Sequence, residues 1–300
     1  MRMRTETLPA KLLVAVDGST HARTALAWVA GLARLGVSLQ CVLSNAQRPL
    51  MSGEVGLIAP ASLSIAERER AADDILAQAV RALEDAGIAC IPEHTLDDPV
   101  DAILASATRH RCDAIVLGRR GQGVLRSTLL GSVSSETVRR ASLPVIVVNE
   151  TLTPPEHGPL AILLALDGSA AAERAGRFAV RLAQASAQST IHLLHVQPAL
   201  TVAEAVLGPR GQLLDQWSGS DAEHAFASIR RILAESDLAW QEHTRLSNEA
   251  GDAIAVAAAQ LGCSLIAMGT RGLGPIAGRL LGSAALRVVE HARVPVALSC

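Results

Sequence analysis

Short continuous apolar runs alternate along the chain with longer segments whose apolar residues recur every three or four positions. The run KLLVAV over 11–16 and its counterpart AILLAL over 161–166 have the look of strands covered on both faces. After the first, Ala22, Ala25, Leu26, Val29, Leu32 and Ala33 fall at helical spacing, with Ser19 placed as N-cap and Gly36 as stop. The matching helix of the second half spans about 171–185. Second strands are predicted at 39–46 and 191–196, and long helices at about 64–86 and 221–236. Third strands fall near 88–95 and 238–246, with helices at about 99–109 and 252–261. Fourth strands at 114–117 and 265–268 lead through glycine-rich loops to helices starting at Val133 and Ala284. Fifth strands at 144–148 and 294–298 close each half.

Strands that alternate with helices, without hairpins, predict an α/β fold with a parallel, doubly wound sheet. The pattern occurs twice, so the chain reads as two five-stranded Rossmann-like units. A first domain covers 1–150, a linker with three prolines and a glycine covers 151–159, and a second domain covers 160–300. The repeat offset is 150 residues at Asp17/Asp167 and 151 at Gly118/Gly269. One residue has therefore been gained between these points in the second half.

The repeated loops carry the candidate chemistry. Residues 118–132 read GRRGQGVLRSTLLGS and residues 269–283 read GTRGLGPIAGRLLGS. Glycines let backbone N–H groups approach a phosphate, and the following helix N-terminus adds unpaired donors and a positive dipole end. Ser132 and Ser283 stand where an N-cap is expected. A single loop of this kind reads equally well as a tight turn with a cap; two copies at one spacing favour phosphate binding. Lys11 is the only lysine, so no Walker A loop exists. The dinucleotide fingerprint also fails, since Arg126 and Ala277 stand where its third glycine belongs. The first strand of each half ends in Asp-Gly-Ser, at Asp17 and Asp167. If strands one and four are neighbours at the switch point, each Asp faces its loop across a crevice. A carboxylate there is repelled by polyphosphate, so it should meet base or ribose donors, or a bridging Mg²⁺. Asp-Gly-Ser also spells a plain turn.

Composition narrows the partners. Net charge is -2, aromatics are 2% and tyrosine is absent, which argues against nucleic acid. The five cysteines are scattered without a C-x-x-C pair, as in buried thiols of a reducing, cytoplasmic protein. Cys112 and Cys263 hold matching places before the fourth strands, which favours packing over redox chemistry. An uncharged stretch within 253–270 is split by Leu261-Gly262-Cys263-Ser264 and reads as core, not membrane.

The sequence resembles the universal stress protein family in its tandem form. The carrying motif is glycine, two residues, glycine, nine residues, then Gly-Ser or Gly-Thr. Gly118, Gly121, Gly131 and Ser132 match it, as do Gly269, Gly272, Gly282 and Ser283. The resemblance implies ATP binding, strand order 3-2-1-4-5, and domains paired through their fifth strands as an intramolecular pseudo-dimer. It places Asp17 and Asp167 against adenosine and the backbone of Ala46 and Val196 against adenine. Arg119, Arg271, Val133 and Ala284 complete the candidate binding set. The residues preceding the adenine contact differ, Asn45 against His195. Two contrasts also set the sites apart. The first loop carries Arg119, Arg120 and Arg126 against Arg271 and Arg279 in the second, whereas Val196 offers adenine more apolar surface than Ala46.

No G-x-S-x-G elbow and no H-E-x-x-H stretch is present, and the dispersed histidines predict no metal site. The expected function is that of a nucleotide-dependent regulator of the stress response, acting on an unidentified protein partner. A slow ATPase that uses turnover as a timer, and an adaptor with structural nucleotide sites, are the rival readings. A further homodimer is open.

Overall fold

The computed structural model describes residues 8–48, 65–121, 130–149, 157–199, 212–270 and 281–300. Its first half runs β1 (Ala10–Ala15), α1 (Thr20–Arg34), β2 (Leu39–Gln47), α2 (Ile65–Glu84), β3 (Ala89–Leu96), α3 (Pro99–Arg109), β4 (Ala114–Gly118), α4 (Ser132–Arg140) and β5 (Val145–Val148). Its second half runs β6 (Leu160–Ala165), α5 (Ala170–Gln184), β7 (Ser189–Gln197), α6 (Gln212–Ala234), β8 (Ala239–Leu246), α7 (Ala250–Gln260), β9 (Leu265–Gly269), α8 (Ser283–His291) and β10 (Val296–Ser299). Helix α6 starts nine residues before the position that spacing predicts. The loop expected from the sequence at 49–61 lies outside the described residues, as does that at 198–211 beyond Ala199.

All ten strands form one sheet in the order β3-β2-β1-β4-β5-β10-β9-β6-β7-β8. Pairing is parallel within each half. At the centre β5 and β10 pair antiparallel, Val147 opposite Val296 and Ile146 opposite Ala297. Each half therefore has strand order 3-2-1-4-5, and the fifth strands join the halves about a pseudo-twofold axis. This removes the two edges that would be most exposed to aggregation, because the fifth strands are buried throughout and apolar except for Ser299. A second seam lies where α1 and α5 end: Ser38 N–H donates to Ala185 O at 2.7 Å and Ala187 N–H to Gly36 O at 3.1 Å. Arg181 reaches across to the carbonyls of Leu8 at 3.1 Å and Pro9 at 2.9 Å.

The sheet separates two apolar layers. One, around Trp28, Leu32, Phe178 and Phe226, packs α1, α2, α5 and α6 across both halves. The other, around Ile103, Val138, Ile254 and Val288, packs α3, α4, α7 and α8. Cys112 and Cys263 both sit in the second layer. Burial pushes the Cys112 thiol up to about 11 and that of Cys263 up to about 12, which makes them poor nucleophiles and supports a packing role.

The two halves differ beneath their third helices. In the first, Glu93 of β3 accepts from Ser106 and pairs with Arg109 and His110. Burial raises the Glu93 carboxyl, but the hydrogen bonds and cationic neighbours outweigh it and hold the group below the usual range. At the same register position the second half has His243, whose ring lies 3.1 Å from His192 Nδ1. Burial lowers both histidines; His243 further lowers His192, and Arg245 further lowers His243. The folded state thus favours neutral rings. That stability is present above histidine's ordinary range and is lost as pH falls through it. Thermal unfolding from about pH 7 down to about pH 5.5 should show a falling midpoint. His192→Val, which installs the first half's Val42, should flatten the dependence. An unchanged slope in that variant removes the pair as its source.

Candidate functional site

The carboxyl ends of β1 and β4 are adjacent, with Val14 paired to Val116, so the Asp17 turn and the 118–121 loop meet. Gly18 has φ 79° and Gly168 φ 81°, a left-handed bend that favours glycine. The bend lets Ser19 N–H donate to Asp17 Oδ1 at 2.9 Å, while Ser19 Oγ caps α1 through Ala22 N–H at 3.1 Å. Asp167 and Ser169 repeat both bonds at the same distances. The cap on α1 is therefore serine, and the aspartate's role in the turn occupies one of its oxygens. The other lies against Gly121, where a Cβ would stand 2.5 Å from Asp17 Oδ2.

The loop glycines act in different ways. A Cβ on Gly118 would stand 2.6 Å from His21 Cβ and 2.8 Å from the His21 carbonyl carbon, and one on Gly269 would stand 2.9 Å from Ala171 Cβ. These two glycines let the fourth strand of each half approach the first turn of α1 or α5. His21 thus packs behind β4 and does not line the crevice. Gly131 closes the loop, its N–H donating to Arg119 O at 2.9 Å, as Gly282 N–H donates to Thr270 O at 2.8 Å.

That closure shifts the helix start by one residue from expectation. Gly131 and Gly282 are the N-caps, extended at ψ 160° and 159°, and Ser132 and Ser283 are already the first helical residues. Because a glycine cap has no side chain, neither α4 nor α8 receives a side-chain cap, whereas α1, α3 and α5 do. Ser134 Oγ instead donates to Gly118 O at 2.9 Å, tying α4 to the end of β4. The first turn of α4, Ser132 included, lines a cavity of about 410 Å³.

The cavity's wall includes Asp17, Ala46, Gly118, Gly121, Gly131, Ser132 and Val133 from the predicted set. Arg120 lines it in place of Arg119, whose backbone N–H instead donates to Val148 O at 2.7 Å. Sequence reading missed Ala15, Ser44, Pro99, Ile103, Leu117, Leu130 and Ser135. Ser44 was accessible in principle, since strand alternation puts it on the same face as Ala46. Asn45 points the other way and donates through Nδ2 to Val16 O at 2.7 Å. His195 makes the equivalent contact with Leu166 O at 2.8 Å through Nδ1. The Asn/His difference thus preserves one structural bond, pinning the second strand to the turn that carries the aspartate. In the second half Asp167, Val196, Gly269, Gly282, Ser283 and Ala284 take the corresponding places, while Arg271 and Gly272 lie outside the described residues, as do Arg126 and Arg279.

Chemically, the first crevice offers apolar walls, one anchored carboxylate, one guanidinium, hydroxyls and uncapped helix donors. This combination suits a ligand with an apolar ring system at one end and an anionic group at the other. Among the described residues no three His, Cys, Asp or Glu side chains cluster as a metal site.

Comparison with known proteins gives the same architecture. The sequence profile described as "Universal stress protein family" matches residues 10–149 and 160–299. A universal stress protein of Mycobacterium tuberculosis is 28% identical over 301 residues, covering 95% of this chain and 94% of its own. One from Mycolicibacterium smegmatis is also 28% identical, covering 95% of each. Among solved structures, a universal stress protein from Archaeoglobus fulgidus matches with TM-score 0.67 at 20% identity, over 96% of this chain and 97% of that one. A Pseudomonas aeruginosa structure titled as a putative universal stress protein matches with TM-score 0.59 at 18% identity, over 98% and 94%.

The two glycine roles should separate by substitution. Gly118→Ala drives a methyl into backbone of α1 and should destabilise the fold by roughly 1–3 kcal/mol, read as a lower denaturation midpoint. Among the described residues Gly121→Ala meets the half-exposed Asp17 carboxylate, which can turn aside, so the midpoint should move less and ligand binding should weaken. Equal destabilisation by both changes contradicts this division.

Proposed function

Because this chain belongs to the universal stress protein family, matched in both halves, we propose that it binds ATP and acts as a nucleotide-dependent regulator of the stress response. The observation that carries the reading is the first-half cavity, in which Asp17 and the uncapped first turn of α4 converge on one space of about 410 Å³. The adenine ring lies against Ala46 and the apolar wall of Val16, Ile103 and Leu117. Asp17, held by Ser19 N–H, accepts from the ribose, away from the polyphosphate that would repel it. The phosphates meet the backbone N–H groups at Gly131–Ser132 and the Arg120 guanidinium. A Mg²⁺ in this arrangement would be held by the phosphates and its own waters, with Asp17, the one carboxylate among the described lining residues, to assist.

The proposal assigns the site a binding role without turnover. The described residues that line it include neither histidine nor lysine, the groups most suited to proton transfer or to neutralising a leaving phosphate. Occupancy would be signalled through the Asp17 turn and the 118–121 loop, the two segments that a nucleotide would bridge, to a protein partner.

Equilibrium dialysis of the full chain against millimolar ATP should show uptake. Asp17→Ala should weaken it by roughly 1.5–3 kcal/mol, about ten- to a hundredfold, the value of a hydrogen bond to a charged group. Absence of uptake by the parent protein overturns the proposal. Release of ADP at a rate that Asp17→Ala abolishes would favour the turnover reading instead.

A further inference from the structure

One buried hydroxyl on the wall of the first cavity has no hydrogen-bond partner among the described residues. Ser44 stands near the end of β2, where its carbonyl accepts from Val16 N–H at 2.9 Å. Register sets it between Ala15 of β1 and Glu93 of β3. Strand alternation puts its side chain on the α3 face of the sheet with Val42 and Ala46, while Leu43 joins the opposite apolar layer. Ser44 is 3% exposed and lines the cavity beside Ala15, Ala46 and Ile103.

The other buried polar side chains around it are engaged. Asn45 donates to Val16 O, Ser134 to Gly118 O, and Ser106 to Glu93. Buried hydroxyls are paired with few exceptions, and an unpaired one is destabilising. Nor does the fold require a hydroxyl here. At the same register position of the second half stands Leu194, wholly buried. The remaining polar side chains among the described wall residues come from the Asp17 turn, the Arg120 loop and α4. Ser44 is thus the one polar side chain that the described parts of β1, β2, β4 and α3 present to the cavity.

Resting on the nucleotide reading above, we infer that Ser44 reads the base, its hydroxyl hydrogen-bonding a ring nitrogen or an amino group at the edge of the purine. A serine hydroxyl both donates and accepts, so it serves either kind of edge atom. It does not by itself separate one purine from another. What it disfavours is a ring without a polar edge, which would leave the hydroxyl buried and unpaired. The apolar wall of Val16, Ile103 and Leu117 would accept any flat ring of the right size. Ser44 makes a nitrogen heterocycle the preferred one.

The test is Ser44→Ala in the full chain, titrated with two probes. One is ATP. The other is the triphosphate of indole riboside, which keeps ring size, ribose and phosphates but has no amino group and no nitrogen at the free edge of its ring. The parent should bind ATP more tightly than the indole probe. Ser44→Ala should lose roughly three- to tenfold in ATP affinity, the value of one neutral hydrogen bond, without weakening toward the indole probe. In the ligand-free protein the same change should leave the denaturation midpoint unchanged or raised. Undiminished ATP affinity in Ser44→Ala overturns the inference while leaving the nucleotide reading intact. So does equal weakening toward both probes, or a clear fall in the ligand-free midpoint, since either shows the hydroxyl serving the fold. A parent protein that takes up no ATP overturns both.

Discussion

A methyl group at position 118 would stand 2.6 Å from His21 Cβ and 2.8 Å from the backbone of the same residue. That missing atom is the constraint on which the site depends. It lets the end of β4 lie against the first turn of α1, which brings the 118–121 loop to the Asp17 turn. From there a chain of short contacts follows. Ser19 N–H fixes one oxygen of Asp17, Gly121 accommodates the other, and Gly131 N–H closes the loop on Arg119 O. The same strand–helix approach recurs at Gly269 against Ala171 and Ala172. Both halves therefore keep the scaffold, whatever each does with the space above it.

The β5–β10 seam has a second consequence. Fusing two parallel sheets through an antiparallel pair buries both fifth strands and places β3 and β8 at the outer edges. Those outer strands are the most exposed of the sheet, and they carry Glu93, His94, Glu242, His243 and Arg245 among their residues. Charged side chains on an edge discourage pairing with another chain. The apolar edges are thus joined internally, while the polar edges face outward. The arrangement also makes the halves share one sheet and two apolar layers, each of which runs across both halves.

The fold was legible because hydrophobic periodicity, the 150-residue repeat and the paired glycine loops all pointed the same way. The Asp17 and Ser132 sides of the crevice were legible for the same reason, since turn and loop residues have local signatures. Less accessible was the division of labour among the glycines. A motif shows that a side chain is excluded at 118 and 121 but not by what, and at 118 the excluding group is helix α1. The helix start was misjudged by one residue because a serine after glycine looks like a cap, while the loop-closing bond at Gly131 decides the matter. Ser44 and Ile103 escaped because both sit in apolar elements and become wall residues only after β2, α3 and α4 are assembled.

The same limit applies to the two matching motifs. The motif records the path of one loop, and loop paths are set by contacts with α1 or α5 and with the fifth strand. Room for a ring system is set elsewhere, by how closely the third helix approaches the fourth and by what the second strand projects beneath them. The second half has Gly251 where the first has Val100, and Leu194 where the first has Ser44, differences that touch no motif position. Gly269, Gly282 and the Asp167 turn each make a structural contact of their own, with Ala171, with Thr270 O and with Ser169 N–H. Motif retention in a tandem chain is therefore evidence for the scaffold first, and evidence for a ligand only where the neighbouring helices leave space for one.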